Sequence, residues 1–331
     1  MPNLPRPRLR RSTRSSGAPA TAAPAEPNVE IVEHDGLRWI NIERPGPLDR
    51  AWLEEHFVFH PLAYEDVASR NQRPKIDDFG EYLFIVLHFP VFDKKVGRLN
   101  AGELDVFIGA DFLITLPNEP LPPVEYLFER VRTSEDAREQ MFSQGLGYLL
   151  YKVVDDSVDY GFPMLRKMGN KLDRIEEEIF LEQAGEEIVR DISNVKQEII
   201  NFRKIIRPQR QVLRDLEKVK RRFLAEDHEL YFDDVVDASE RIWDMLENYK
   251  EVVEALEETN ESVITHRLNN ILRILTVFSV VFLPLTLISG IWGMNVRVPG
   301  EGHLGAFWII LGAMLALLVS MLAFFKNRGW L

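Results

Sequence analysis

The chain has 331 residues, a formal net charge of −12 and no cysteine. Its length allows more than one folding unit, and the missing thiols exclude disulfides, thiolate metal sites and cysteine nucleophiles. The acidic balance argues against a nucleic-acid partner, which would want a basic face. Residues 1–28 come first, rich in Pro, Ala, Ser and Arg, with Arg6, Arg8, Arg10, Arg11 and Arg14 among them. No apolar run follows these arginines, so the segment does not read as a secretory signal. It reads as a disordered cytosolic tail, with weak attraction to anionic lipid as the functional alternative.

Residues 29–130 read as an α/β domain. Residues 29–32 and 37–42 look like strands joined by an Asp35-Gly36 turn. Residues 52–67 have helical spacing, and residues 82–89 and 104–116 read as buried strands rich in Val, Ile and Phe. Residues 131–270 turn helical and form a stalk. An interruption is expected near Pro163, and Pro208 should kink or break its helix. After Tyr231 nothing interrupts the pattern. Ile242, Leu246, Tyr249, Val253, Leu256, Asn260 and Val263 repeat every four and three residues, which predicts a long helix packed lengthwise on partners. From Asp234 to Ile291 it would extend about 85 Å. Glu251, Glu254, Glu257, Glu258 and Glu261 lie on it. They read as a solvated face, the alternative being an acidic vestibule that concentrates cations.

Two apolar segments close the chain. Residues 271–291 hold a single charged residue, Arg273, and residues 305–325 hold none; each is long enough to cross a bilayer as a helix. The loop between them, 292–304, is short, so the spans form a hairpin. Arg267, Arg273, Lys326 and Arg328 flank the hairpin's open end, whereas Arg297 is the one Lys or Arg of the loop. This bias puts both termini, including residues 326–331, in the cytoplasm and the loop outside. Trp292, Trp308 and Trp330 fall near the expected interfaces.

Two helices enclose no lumen, so conduction would need several copies. Asn269, Leu272, Thr276, Ser279, Leu283, Thr286 and Gly290 form one helical stripe on the first span. Its small and polar members suit a surface facing protein or water. Equally, the hydroxyls can bond back to their own helix. Pro284 frees a carbonyl at the turn below it. Gly312, Ala316 and Ser320 form a small-residue row on the second span, a sign of close helix packing. No phosphate-binding glycine loop occurs, and the seven histidines lack zinc-ligand spacing. His60 and His88 read as fold residues. Neither an enzyme nor a nucleotide cofactor is expected.

The sequence Leu283-Pro284-Leu285-Thr286-Leu287-Ile288-Ser289-Gly290-Ile291-Trp292-Gly293-Met294-Asn295 resembles the end of the first membrane helix of the CorA family. His60-Pro61-Leu62-Ala63-Tyr64-Glu65-Asp66-Val67, Asn71-Gln72-Arg73-Pro74-Lys75 and the ending Lys326-Asn327-Arg328-Gly329-Trp330-Leu331 are similar to the same family. The resemblance implies an α+β cytosolic domain, an α/β sandwich with long stalk helices, followed by an all-α membrane hairpin. The assembly would be a funnel-shaped homopentamer in the plasma (bacterial inner) membrane. Gly293, Met294 and Asn295 would be the selectivity filter. Asn269, Leu272, Leu275, Leu283 and Thr286 would line the pore. The residue stripe favours Thr276 where the family match favours Leu275, and the register stays open. The transported ion would be Mg²⁺, with Co²⁺ also admitted, and Mg²⁺ would also regulate. Asp234 matches a regulatory metal ligand, with Asp93, Glu103 and Asp105 as candidate partners. The chain departs from the family pattern in Trp292, where Tyr is usual, and in a loop with one acid, Glu301. His303 near it leaves room for Zn²⁺ and a proton-coupled mechanism, as in the family's ZntB branch. A non-conducting membrane-anchored sensor or interaction protein is the alternative of another class.

Overall fold

The computed structural model describes residues 26–69, 72–93, 98–181, 185–219, 229–294 and 303–330. The expected N-terminal tail, Asn295 and most of the outer loop therefore lie outside the described residues. Two compact units emerge. One takes the described residues through Gly161 together with Lys204–Arg241, and the other takes Phe162–Arg203 with the described residues from Ile242 onward.

The first unit opens with strands β1 (Glu30–His34) and β2 (Leu37–Asn41), paired antiparallel. Their turn uses two positive backbone angles, Asp35 at φ 51° and Gly36 at φ 80°, the requirement of a two-residue hairpin turn. A Cβ on Gly36 would meet nothing within 4 Å. Gly36→Ala is therefore expected to cost only backbone strain, about 1–2 kcal/mol, seen as a lower denaturation midpoint of the full chain in detergent.

The helix expected over 52–67 is two helices, α1 (Pro47–His56) and α2 (Pro61–Ala68). Pro61 disfavours helical backbone before it, and His60 is extended at ψ 139°. The His60 imidazole then caps α2, its Nδ1 accepting from the Leu62 N–H at 3.2 Å. Strand β3 (Lys75–Asp78) is short and charged, and periodicity gives no sign of it. Strands β4 (Leu83–Asp93) and β5 (Arg98–Ile108) pair antiparallel. The single strand expected over 104–116 is β5 followed by β6 (Phe112–Pro117), because the chain reverses at Gly109, whose N–H donates to the Phe112 carbonyl.

The sheet runs β1-β2-β6-β5-β4-β3, with β2 and β6 parallel and the other neighbours antiparallel. One face packs Phe84, Phe107 and Ile114 against Leu53 of α1 and Ala63 and Val67 of α2. Phe59 stacks on Phe107 with ring centres 4.2 Å apart. On Trp39 of β2, Phe128 of α3 (Pro122–Thr133) lies edge-on at 4.9 Å. Helices α4 (Glu135–Phe142) and α5 (Leu146–Asp159) follow. This is a sheet with helices on both faces, a common way to bury apolar strands.

Helix α6 (Gly161–Phe180) begins just after the break at Tyr160, and Pro163 sits harmlessly in its first turn. Helix α7 (Glu186–Val219) contains Pro208 and is not broken there; of the kink or break expected, the break does not occur. Phe202, Ile205 and Ile206 before it and Val212 and Leu213 after it are all buried, so packing on both sides offsets the lost hydrogen bond.

Helix α8 (Glu229–Trp292) runs 64 residues, about 96 Å. Ile242, Leu246, Val253 and Leu256 of the expected seam are buried within the single chain. The stripes of α6 (Leu165, Met168, Leu172, Ile175) and α7 (Ile188, Ile192, Val195, Ile199) are buried in the same unit. The seam's partners are therefore helices of its own chain. Lys171 of α6 bonds Glu198 of α7 at 2.7 Å, and Lys196 of α7 pairs with Glu257 of α8. Arg203 binds Glu247 and lies 5.1 Å over the Trp243 ring. Helix α9 (Leu304–Asn327) completes the unit.

Candidate ion pathway and regulatory site

Among the described residues, α8 and α9 are long and apolar enough to cross a membrane. They touch through a small cluster in which Val277, Val281 and Phe325 are buried against Leu285, Leu318 and Met321. At 3.6 residues per turn, Leu272, Ser279, Leu283, Thr286 and Gly290 fall on the opposite side of α8. Leu272 and Leu283 are 57% and 67% exposed in the single chain, so among the described residues this face is left uncovered. Leu275 and Thr276 flank the stripe on either side, each roughly 50° from its middle. Asn269 is exposed one turn before it.

The hydroxyls bond back to their own helix. Thr276 donates to the Leu272 carbonyl at 2.7 Å, Ser279 to Leu275 at 2.9 Å and Thr286 to Leu283 at 2.9 Å. Helix α8 continues through Pro284. It ends at Trp292, where the Gly293 N–H donates to the Ser289 carbonyl at 2.9 Å. A Cβ on Gly293 would stand 3.0 Å from that same oxygen. A side chain there would press on that carbonyl by a few tenths of an ångström. Asn295 follows immediately in the chain, outside the described residues. His303 is exposed at the N-cap of α9 and makes no capping bond.

The acidic candidates separate into two places. Asp234, exposed on the first turns of α8, lies beside the C-terminal acids of α5. A cluster of rings makes the join: Tyr151 of α5 packs on Tyr231 at 4.9 Å and on Phe232 at 5.9 Å, and Tyr148 meets Tyr231 at 5.5 Å. Burial, then the charge of Asp155, pushes the Tyr151 hydroxyl up to about 12; Asp234 adds to this and Lys152 opposes it. Burial and Asp155 likewise raise Asp159, with Asp156 and Asp234 contributing. Lys152 is the balancing cation, bonded to Asp155 at 2.8 Å and Asp156 at 2.7 Å. The periodicity of α5 shows nothing of Asp155 and Asp159 as neighbours of Asp234, because the contact depends on the ring packing.

Glu103 and Asp105 lie on β5, 6% and 0% exposed, inside the sheet domain. Asp93 ends β4 opposite Arg98. No group of three or more His, Asp or Glu among the described residues is arranged to hold a metal within one chain. A site at Asp234 therefore requires a ligand from elsewhere or from ordered water.

The family model described as CorA-like Mg²⁺ transporter protein matches residues 34–327. The chain is 30% identical over 297 residues to the cobalt/magnesium transport protein CorA of Thermotoga maritima, covering 88% of this chain and 83% of that one. It is 18% identical over 294 residues to the zinc transport protein ZntB of Yersinia pseudotuberculosis, covering 88% of each. Its fold is similar to the structure of the CorA magnesium transporter of Methanocaldococcus jannaschii, with a TM-score of 0.78 at 20% identity, covering 91% of this chain and 94% of that one.

Proposed function

The chain belongs to the CorA family of divalent cation transporters, and from that premise we propose that it admits Mg²⁺ through a homopentameric pore lined by α8. The observation that carries this reading is the uncovered stripe from Leu272 to Gly290, set opposite the face that packs on α9. Five copies would bring that stripe to a common axis and leave α9 outside, toward lipid. Leu272, Leu275 and Leu283 would form the dry constriction, Asn269, Ser279 and Thr286 the polar stations, and Thr276 would sit at the subunit seam. Gly293-Met294-Asn295 would form the outer mouth. The Asn295 amide oxygen would accept hydrogen bonds from water held by Mg²⁺, an ion that dehydrates reluctantly.

Both termini would be cytoplasmic in the plasma (bacterial inner) membrane, as the flanking cations indicate. A negative interior then favours entry by roughly 4–5 kcal/mol per divalent ion at 100 mV, so no other energy source is needed. Asp234 would hold regulatory Mg²⁺ with Asp155 and Asp159 nearby, and Asp93 of a neighbouring copy is a further candidate. Bound metal would screen these carboxylates and favour the closed state. Glu103 and Asp105, closed off from solvent, are left out of that site.

Zn²⁺ transport is the second reading, favoured by the exposed His303 at the outer end of α9, since imidazole suits a softer ion. Flux of Mg²⁺, Co²⁺ and Zn²⁺ into proteoliposomes, competed pairwise with and without a pH gradient, separates the two. Mg²⁺ is expected to win and to flow irrespective of the gradient; Zn²⁺ flux that rises with the gradient would overturn the first reading.

A further inference from the structure

The face of the sheet beneath α1 and α2 carries buried charge that ion conduction does not use. Strand register sets Lys75, Val86, Asp105 and Leu116 in one row across β3, β4, β5 and β6, and His88 and Glu103 in the next. Directly opposed residues point to the same face, so both rows share it. Glu103 is well bonded. Its Oε1 accepts from Asn118 Nδ2 at 2.6 Å, and its Oε2 accepts from the Gln72 N–H at 3.0 Å and lies 3.4 Å from His88 Nε2. Asp105 differs. It is fully buried, and neither carboxyl oxygen has a hydrogen-bond partner. The charges acting on it are Glu103 of the same strand, Asp66 of α2 and Lys75 of β3. Lys75 is already bonded to Asp66 at 2.7 Å and Asp77 at 2.6 Å. An ionised carboxylate so placed would have neither water nor a committed cation.

We propose that Asp105 is a buried proton-binding site: its carboxyl is the neutral acid in the folded domain at neutral pH, and the domain loosens when that proton leaves. Burial, reinforced by Glu103 and Asp66 and opposed by Lys75, raises Asp105 well above the usual carboxylate range. The folded chain thus holds a proton that the unfolded chain releases near the ordinary Asp value, about 3.9. Stability contributed by this group is whole below that value and falls as pH rises toward the folded value. His88 faces the same cluster and offsets Glu103 only when protonated. The site also adjoins a link to the helices of its unit. The His88 backbone N–H donates to Gln209 Oε1 of α7 at 2.5 Å, and the next residue, Arg210, pairs with Glu240 of α8. A proton lost from the sheet would therefore be felt where α7 meets it.

The test uses full-length protein in detergent. Infrared spectra at neutral pH, in light and heavy water, are expected to contain the carbonyl stretch of a buried neutral carboxylic acid that Asp105→Asn removes. Thermal unfolding followed from about pH 5 to 8 is expected to weaken with pH in the native protein. In Asp105→Asn, and in Asp105→Leu, which matches its neighbours Val86 and Leu116, that decline should flatten. Absence of the neutral-acid band from the native protein, or an unaltered pH slope in a folded variant, would overturn the proposal. The infrared spectrum of the native protein decides even if both variants misfold.

Discussion

Proteoliposomes carrying Asn295→Ala are expected to lose Mg²⁺ uptake by at least about tenfold, equivalent to about 1.4 kcal/mol on the barrier. The reasoning starts from the ion. Mg²⁺ keeps its inner water shell, so a filter must grip those waters from outside. In the proposed pentamer one amide oxygen per copy would supply that grip, and each hydrogen bond is worth about 0.5–1.5 kcal/mol net. Five removed together exceed the tenfold loss even at the low end of that range. Alanine also leaves the mouth without a polar surface to exchange with water. Ile309→Val, on the exposed face of α9, is the matched control and should conduct normally. Uptake unchanged in an assembled Asn295→Ala protein would remove Asn295 from the filter.

A second large effect is expected from Asp234→Ala. Mg²⁺ should protect the cytosolic region of the native protein from protease, and the variant should need on the order of tenfold more Mg²⁺ for equal protection, about 1.4 kcal/mol. Burial and the charge of Asp155 already raise the proton affinity of Asp159, with Asp234 adding to the effect. Unscreened carboxylates of that kind repel, and a bound divalent cation relieves them. Removing one carboxylate weakens metal binding and also reduces the repulsion, so the variant should open more readily yet respond less steeply to Mg²⁺. Glu258→Gln, an exposed acid farther along α8, should leave protection unchanged. An Asp234→Ala curve that overlays the native one would place the sensor elsewhere.

The helical half of the molecule was legible because its patterns are long. Seven positions from Ile242 to Val263 keep one spacing, and α8 follows it without a break. The sheet was less so. Residues 104–116 form one apolar run, and only the reversal at Gly109 divides it into β5 and β6. Strand β3 is Lys-Ile-Asp-Asp, which no apolar pattern would select; its pairing with β4 and the Lys75–Asp66 ion pair hold it in place. At Pro208 the local rule predicted a kink or a break, and buried side chains on both flanks keep the helix unbroken.

The candidate sites divide in the same way. The proposed outer mouth is contiguous in sequence, so three consecutive residues were enough to propose it. The companions of Asp234 were not contiguous. The sequence offered Asp93, Glu103 and Asp105, whereas the folded chain sets Asp155 and Asp159 beside it through Tyr151 and Tyr231. Sequence alone determined what depends on local composition and period: two membrane-length helices and one long stalk helix. Only the tertiary structure decided which face of α8 packs on α9, which acids neighbour Asp234, and that Asp105 is sealed without a partner. Those facts depend on contacts between residues far apart in the chain, and periodicity along a single segment carries no record of them.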